Sequence, residues 1–406
     1  MSRETQLQRL VDIIKNYRKD ELDFLIDVSH VEKWLNQFEV ETQSVILSET
    51  IHVLTSWYFD EEKVDKVLNR IVRFLREVYQ IDSITNLIEQ VSFLTLQDAG
   101  LSQKMLVKRL TDMIYDQYSI SVQTKIHSSI ERYVYIDDGL YTGSRAIQDI
   151  RECLCVLPHG ARLDVFYVVA SERGLWRVKK EFADLAEKKG INLKIHRWRW
   201  IQNDKRKIRN EASSGEDVIL NQMCLWPSAE LKEIAQVTNY QKSLVNLTEK
   251  QQEYLFRDYQ WNNDAGIFTS VENRNIVEKE FLLKGIMILG GVSRSKGIYP
   301  LGFDSGVSFG FGSFCVFDMN ISNTCPLVLW WGRNTQSGGG LDCWYPLFPR
   351  RINPESERMQ KEEYEVYDWE RSTAVDQYNM CPDCGCHFGI ETDGGNGFCI
   401  NCAWEH

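Results

Sequence analysis

The sequence predicts an α/β protein: a parallel sheet flanked by helices, with a helical region before it and a small separate unit after it. Three observations predict this. Up to about residue 118, apolar residues recur at helical spacing. From Tyr133 the hydrophobic period alternates between strand and helix, at lengths that suit parallel strands joined by helical crossovers. Past Ser337 the composition shifts to glycine, then acids, then paired cysteines.

In chain order, Leu7, Leu10, Val11 and Ile14 make one helical stripe. Val64, Val67, Leu68, Ile71, Leu75 and Val78 make another, entered through Asp60-Glu61-Glu62, whose charge suits a helix N-terminus. Trp34, Phe38, Val45, Leu47, Ile51 and Leu54 are expected to pack between the two as core. Residues 1–118 thus read as an N-terminal helical region.

The next stretch, Tyr133 to Ser144 (YVYIDDGLYTGS), organises the remainder. Four β-favouring residues lead into Asp137 and Asp138. A turn with Gly139 and Gly143 follows, carrying hydroxyls at Thr142 and Ser144. Ala146, Ile147, Ile150 and Leu154 then return at helical spacing. Ligands of open α/β sheets sit beyond the carboxyl ends of strands. Free N–H groups at a helix N-terminus suit a phosphate. Carboxylates one turn away can accept from a ribose diol. The pattern therefore describes a seat for a ribose 5-phosphate. A Walker B reading lacks its G-x-x-x-x-G-K-[ST] partner, and a D-x-D reading fails because the acids are adjacent.

Arg162 to Ala170 reads as a buried strand, Ser171 to Gly174 as a loop, Leu175 to Lys189 as a helix and Ile191 to Trp200 as a strand. In the last, His196-Arg197-Trp198-Arg199-Trp200 fits a strand with cations out and tryptophans in. With Lys205-Arg206-Lys207, the same mixture could bind single-stranded nucleic acid. Met223 to Pro227 forms an apolar knot, Phe281 to Gly291 a helix-to-strand run, and Val307–Asp318 and Leu327–Trp331 two late strands. Trp330, Trp331, Trp344 and Tyr345 read mainly as core, although such rings can also stack on a base.

Here a resemblance enters. The Tyr133–Ser144 stretch resembles the binding motif for phosphoribosyl pyrophosphate (PRPP) in type I phosphoribosyltransferases. The chain resembles more closely the conflict-associated phosphoribosyltransferase-like family of bacterial defence loci, PRTase-CE. Three further stretches carry the closer likeness: Val31 to Phe38 (VEKWLNQF), Leu301 to Gly312 (LGFDSGVSFGFG) and Asn320 to Trp331 (NISNTCPLVLWW). The commoner enzymes have a small residue where Tyr141 stands and Thr where Arg145 stands. The resemblance implies a type I phosphoribosyltransferase-like domain over residues 119–335. It implies PRPP or a ribose 5-phosphate nucleotide as ligand, with Mg²⁺ on the pyrophosphate, and a defence setting with a protein partner. Asp137 and Asp138 would take the ribose hydroxyls. Gly139, Leu140, Tyr141, Thr142, Gly143, Ser144 and Arg145 would line the sugar-phosphate. Two loops compete for the pyrophosphate: Gly290 to Gly297, with Arg294 and Lys296, and Ser171 to Gly174, with Arg173.

Residues 336–377 read as an acidic linker; Arg351 to Asp376 holds eight acids against four bases. Residues 378–406 resemble a zinc ribbon. Cys381 and Cys384 form one C-x-x-C pair and Cys399 and Cys402 another, with fourteen residues between them. Four thiolates fill a tetrahedral zinc site and leave no open position, so the metal is structural; Cys386 and His387 are rival ligands. Cys153, Cys155, Cys224, Cys315, Cys325 and Cys343 read as scattered buried thiols.

The totals set limits. The 406 residues allow two or three domains. A net charge of −11 disfavours indiscriminate binding to nucleic acid or anionic membrane, although a local basic patch could still bind nucleic acid. No apolar run is long enough to span a bilayer, and the N-terminus lacks a signal core. Eleven cysteines, four of them in C-x-x-C pairs, fit a reducing cytoplasm with a metal site. The residues leave three functions open: an enzyme acting at the anomeric carbon, a nucleotide sensor without turnover, and a nucleic-acid reader built on the zinc unit.

Overall fold

The computed structural model describes residues 1–96, 101–126, 130–203, 223–244, 247–257, 264–290, 297–332 and 344–350. Cys343, the Arg294–Lys296 loop, the acidic linker and the zinc-ribbon cysteines lie outside the described residues. The chain forms two compact units. One takes Met1–Asp60 and the described residues from Gln202 onward; the other is Glu61–Ile201.

In the first unit, α1 (Arg3–Ile14) starts at Ser2, whose hydroxyl accepts the Thr5 N–H. The helix α2 (Val28–Leu35) starts at Asp27, which accepts the His30 N–H. Then follow α3 (Gln43–Trp57) and the two-residue strand β1 (Tyr58–Phe59). That strand pairs in parallel with Val316–Phe317, which pairs antiparallel with Asn320–Ile321. The three stretches that carry the closer resemblance lie in this unit. Trp34 of the first donates its indole N–H to the Val328 carbonyl of the third at 2.8 Å, and Trp344 donates to the same oxygen. The second stretch closes on itself, with the Gly312 N–H on the Leu301 carbonyl and the Leu301 N–H on that of Phe309. A buried charge cluster joins the Met223–Pro227 knot to the long helix Val271–Gly290. Glu278 accepts from Arg257 (3.1 Å), Arg274 (2.9 Å) and the Trp226 N–H (2.8 Å). Such a cluster is tolerated in a core because each charge has partners.

Three expectations are corrected here. The Phe281–Gly291 run stays helical as far as Gly290, because Val277, Phe281, Gly285 and Ile288 bury one face at helical spacing. An unbroken apolar run does not by itself distinguish helix from strand. Leu327–Trp330 is a helical turn, opened by Pro326 and closed by the Trp331 N–H on the Leu327 carbonyl. Only Val316–Phe317 of the Val307–Asp318 segment is strand, since Gly310 and Gly312 turn the chain at φ +122° and +72°. Trp330 and Trp344 are core, as the first reading of these rings has it.

The second unit holds the sheet. It begins with α4 (Glu61–Tyr79) and α5 (Ile84–Gln90) and continues through β2 (Val91–Phe93), α6 (Leu101–Tyr118) and β3 (Arg132–Leu140). Next come α7 (Ser144–Val156), β4 (Arg162–Ser171), α8 (Glu172–Lys188) and β5 (Asn192–Ile201). The strands lie in the order β2-β3-β4-β5, all parallel. This is the predicted α/β architecture. The strand β2 interrupts the region read as purely helical; three residues are too few for a period of two to register. Tyr133, Val134, Tyr135 and Ile136 are all inaccessible, as expected of a strand covered on both faces. The helices α7 and α8 cover one face, packing Ile150, Leu154, Val178 and Phe182 with Tyr133, Tyr135, Leu163 and Val165. On the other face Phe74 of α4 meets Phe166 and His196 edge-on, at 5.7 and 5.1 Å between ring centroids.

Several details depart from expectation. Ser171 to Gly174 is not a loop: Ser171 ends β4 and caps α8, so the helix begins three residues earlier than expected. Residues 197–200 are all half-buried rather than sorted into two faces. Arg197 lies 4.1 Å from the ring centroid of Trp200, and Arg70 of α4 lies 4.6 Å from that of Trp198. Guanidinium groups thus lie over both indoles. Cys155 is exposed, because it sits on the outer side of α7 while Cys153 points inward.

A buried hub fixes α4 to the start of the sheet. Asp164 on β4 accepts from Tyr79 (2.6 Å), Arg162 (2.7 Å) and His196 (2.7 Å). Burial alone would raise its carboxyl, but hydrogen bonds from His196 and Arg162 overcome this and hold it at about 2. The folded value lies below the unfolded one, so the stabilisation is complete above the unfolded pKa and disappears as pH falls towards 2. Asp164→Asn should therefore cost about 3 kcal/mol in urea denaturation at pH 7. The gap to wild type should narrow as the pH is lowered from 5 towards 2.

Candidate functional site

The carboxyl end of β3 supplies two acids with different surroundings. Strand alternation puts Tyr133, Tyr135 and Asp137 on one face and Asp138 on the other. Asp137 is 6% exposed, whereas Asp138 is half-buried. Asp137 accepts from the Asp138 N–H at 2.9 Å and lies 3.0 Å from the Tyr135 hydroxyl. The same hydroxyl lies 2.8 Å from Asp149 of α7, and Asp149 pairs with Arg145 at 3.0 Å. Asp138 accepts from the Ser102 hydroxyl of α6 and from the Gly139 N–H.

These surroundings shift both acids the same way. Burial, then the charges of Asp138 and Asp149, push Asp137 well above the usual carboxylate range. Burial pushes Asp138 up to about 6, against the hydrogen bonds from Gly139, Asp137 and Ser102. Burial, with the neighbouring aspartates, raises Tyr135 and Tyr167 well above the ordinary phenol range, so both keep their protons.

The turn after the acids is built to close tolerance. Leu140 enters the core beneath α7 and α8, so only its backbone faces the turn. The Tyr141 ring folds back over Gly139, where any Cβ would strike it. Thr142 is buried. Gly143 adopts φ +83° and caps α7, a left-handed conformation that favours glycine, and Ser144 opens the helix. The first N–H groups of a helix have no partner within it, and they face the end of the turn.

The first turn of α8 braces this loop. Ser171 donates to the Tyr141 carbonyl and accepts the Gly174 N–H. A Cβ at Gly174 would run into that same carbonyl oxygen. Arg173 is half-buried in this turn. One turn further along, Arg177 donates to the Thr142 carbonyl and to the Ser144 hydroxyl, both at 3.0 Å. The structure thus gathers Asp137 through Arg145 at one strand end, with Arg173 in the helix beside it. Arg294 and Lys296 lie outside the described residues.

Sequence reasoning missed Ser102, Tyr135, Asp149 and Arg177. Two signals were available. Tyr135 stands two residues before Asp137 and so shares its face, and Arg145 and Asp149 stand at the helical ion-pair spacing. Nothing in sequence marks Ser102 or Arg177, which reach the site from other helices.

A helix-flanked parallel sheet with an acid-tipped strand turning through a left-handed glycine into a helix defines a phosphoribosyltransferase-like α/β protein. The profile of the PRTase-CE family matches residues 31–350. The chain belongs to that family. No curated protein matches it. Among solved structures, the AQ2163 protein from Aquifex aeolicus is 14% identical, with 41% of this chain and 88% of that one covered and a TM-score of 0.24.

The loop brace is open to a direct check. Gly174→Ala, which drives a methyl group into the Tyr141 carbonyl, should lower stability by about 1–3 kcal/mol in thermal denaturation. Gly160→Ala, where a Cβ meets nothing within 4 Å, should cost less despite its own positive φ.

Proposed function

We propose that the carboxyl end of β3 seats the ribose 5-phosphate of PRPP or of a nucleotide, and that the protein acts at, or senses, the anomeric carbon. One observation carries this reading. The half-buried Asp138 and the Gly143 turn into α7 lie one loop apart, with Arg177 hydrogen-bonded to that loop. Asp138, backed by Asp137, accepts from the ribose diol. The N–H groups at Thr142, Gly143 and Ser144 receive the 5-phosphate, and the hydroxyls of Thr142 and Ser144 add donors. Negative charge at the aspartates favours the cationic sugar that forms as pyrophosphate departs. In this reading Mg²⁺ rides on the ligand's pyrophosphate oxygens and neutralises their charge. Among the described residues no group of three or more His, Cys, Asp or Glu is arranged to hold a metal ion.

A specific observation favours the sensor as second reading. Arg145 stands where the commoner enzymes have Thr, and its side chain pairs with Asp149. Asp137 is turned inward on Tyr135. A seat so tied to its own scaffold binds well without having to turn over.

In our reading the protein is an effector of bacterial antiphage defence that works with a protein partner in the cytoplasm; its PRTase-CE membership supports this reading. No helix among the described residues is long and apolar enough to cross a membrane. The chemistry of Cys381, Cys384, Cys399 and Cys402 fits one structural zinc ion, and the unit they hold is the part of the chain best suited to meet a partner or a nucleic acid.

Calorimetry with PRPP and Mg²⁺ should give saturable binding, weakened roughly 10- to 100-fold in Asp138→Asn by loss of a charged acceptor. Pyrophosphate release from PRPP with mixed bases supports the enzyme, binding without release supports the sensor, and no binding sinks both. Atomic emission should find about one zinc per chain, lost in Cys399→Ser. Wild-type protein free of zinc would contradict the ribbon.

A further inference from the structure

The N-terminal half of α8 presents one face to the turn that carries Thr142 to Ser144. Gly174, Arg177 and Glu181 recur at helical spacing along that face. Gly174 abuts the Tyr141 carbonyl, Arg177 donates to the Thr142 carbonyl and the Ser144 hydroxyl, and Glu181 pairs with Arg151 of α7. The Arg177 stem runs beside Gly143, where a Cβ would lie 3.6 Å from its Cδ. Val178 and Phe182 are inaccessible and hold the helix against the sheet. A packed helix thus delivers the guanidinium to the start of α7.

The bond between Arg177 and Ser144 has a direction. Arginine carries donors and no acceptor, so in the 3.0 Å contact from Arg177 Nη1 to Ser144 Oγ the serine oxygen accepts. That holds whatever other groups Arg177 also meets. A hydroxyl that accepts from a cation keeps its own hydrogen to donate, and the polarisation makes it a stronger donor. Ser144 is the first residue of α7 and is half-buried. Its hydrogen therefore stands among the helix N–H groups that have no acceptor within the helix. The same nitrogen donates to the Thr142 carbonyl at 3.0 Å, which ties the hydroxyl's position to the path of the turn.

On the ribose-phosphate reading given above, we propose that Arg177 is a positioning residue for the 5-phosphate. It fixes the Ser144 hydroxyl as a donor to a phosphate oxygen and places a positive charge one hydroxyl behind it. The seat thereby prefers a terminal phosphate monoester, with close to two charges at pH 8, over a sulfate ester or a phosphate diester, with one. The ligand class that follows is a sugar or nucleoside bearing a free 5-phosphate, not a bridged dinucleotide or a nucleic-acid backbone. A brace requires only that Arg177 hold the turn; the relay adds that the ligand meets its charge through Ser144.

Calorimetry on the full chain at pH 8, with ribose 5-phosphate and with ribose 5-sulfate, tests this. The two esters share a shape and differ by about one charge. Wild type should bind the phosphate roughly tenfold more tightly. Arg177→Gln keeps an amide donor and loses the charge. It should weaken the phosphate about 30-fold and the sulfate about threefold, so that the preference disappears. Arg177→Lys should keep most of the preference, because both bonds come from one nitrogen and an ammonium has donors for both. Ser144→Ala should narrow the preference too, and Arg177→Gln should cost less affinity in that background than in wild type.

Gly174→Ala separates the relay from the brace. It disturbs the same turn without touching a charge, so it should weaken both esters by one factor. If Arg177→Gln also weakens both by one factor, or changes neither, Arg177 is a brace only and the proposal is overturned. Wild type that binds the two esters equally overturns it as well. Thermal denaturation shows which variants fold. Should Arg177→Gln not fold, Ser144→Ala decides in its place, and equal loss for both esters overturns the proposal. Wild type that binds neither ester contradicts the ribose-phosphate reading itself, and the proposal falls with it.

Discussion

The contact on which the site depends is the one between two successive strand-to-helix turns. The first turn of α8 presses its backbone against the turn that joins β3 to α7. That approach requires Gly174, is tied by Ser171, and is extended by Arg177. It fixes the path of Tyr141 to Ser144, and with it the direction of the first N–H groups of α7. A loop already ordered in this way would lose little entropy on binding any ligand.

The two aspartates divide their tasks along the faces of the strand. Asp138 looks outward, steadied by Ser102, and stays half-buried. Asp137 looks inward, towards Tyr135 and Asp149. At the opposite end of the sheet, Asp164 is just as deeply buried yet is held at about 2, since Arg162 and His196 surround it. Burial raises both Asp137 and Asp164. In one case neighbouring negative charge reinforces that effect, and in the other hydrogen bonds from His196 and Arg162 reverse it. The contrast separates a carboxylate that hydrogen bonds hold in its charged form from one that burial and like charge push towards its neutral form.

The sheet was legible because its strands are covered on both faces. The runs at Tyr133–Ile136 and Arg162–Ala170 are nearly continuous in apolar residues, and α8 has a regular inward stripe. The end of β3 was legible because two acids and a glycine turn separate an apolar strand run from a helical stripe. The short pieces were not. Val91–Phe93 has too few residues to show a period, and Leu327–Trp330 is apolar on all sides, so that Pro326 and not periodicity decides its shape. Nor could one dimension show that residues 1–60 share a unit with residues beyond 202, since Trp34 and Val328 meet through a bond spanning 294 positions. Tyr135 and Asp149 fall between these cases. Their spacing was readable, but the hydroxyl they share becomes visible only once α7 is laid on the sheet.

A crystal structure of the protein with ribose 5-phosphate bound would test the central claim most directly. The account predicts the phosphate within hydrogen-bond distance of the N–H groups of Thr142 to Ser144, and the 2- and 3-hydroxyls on Asp138 and Asp137. A phosphate bound elsewhere on the chain, with the two aspartates untouched, would contradict it.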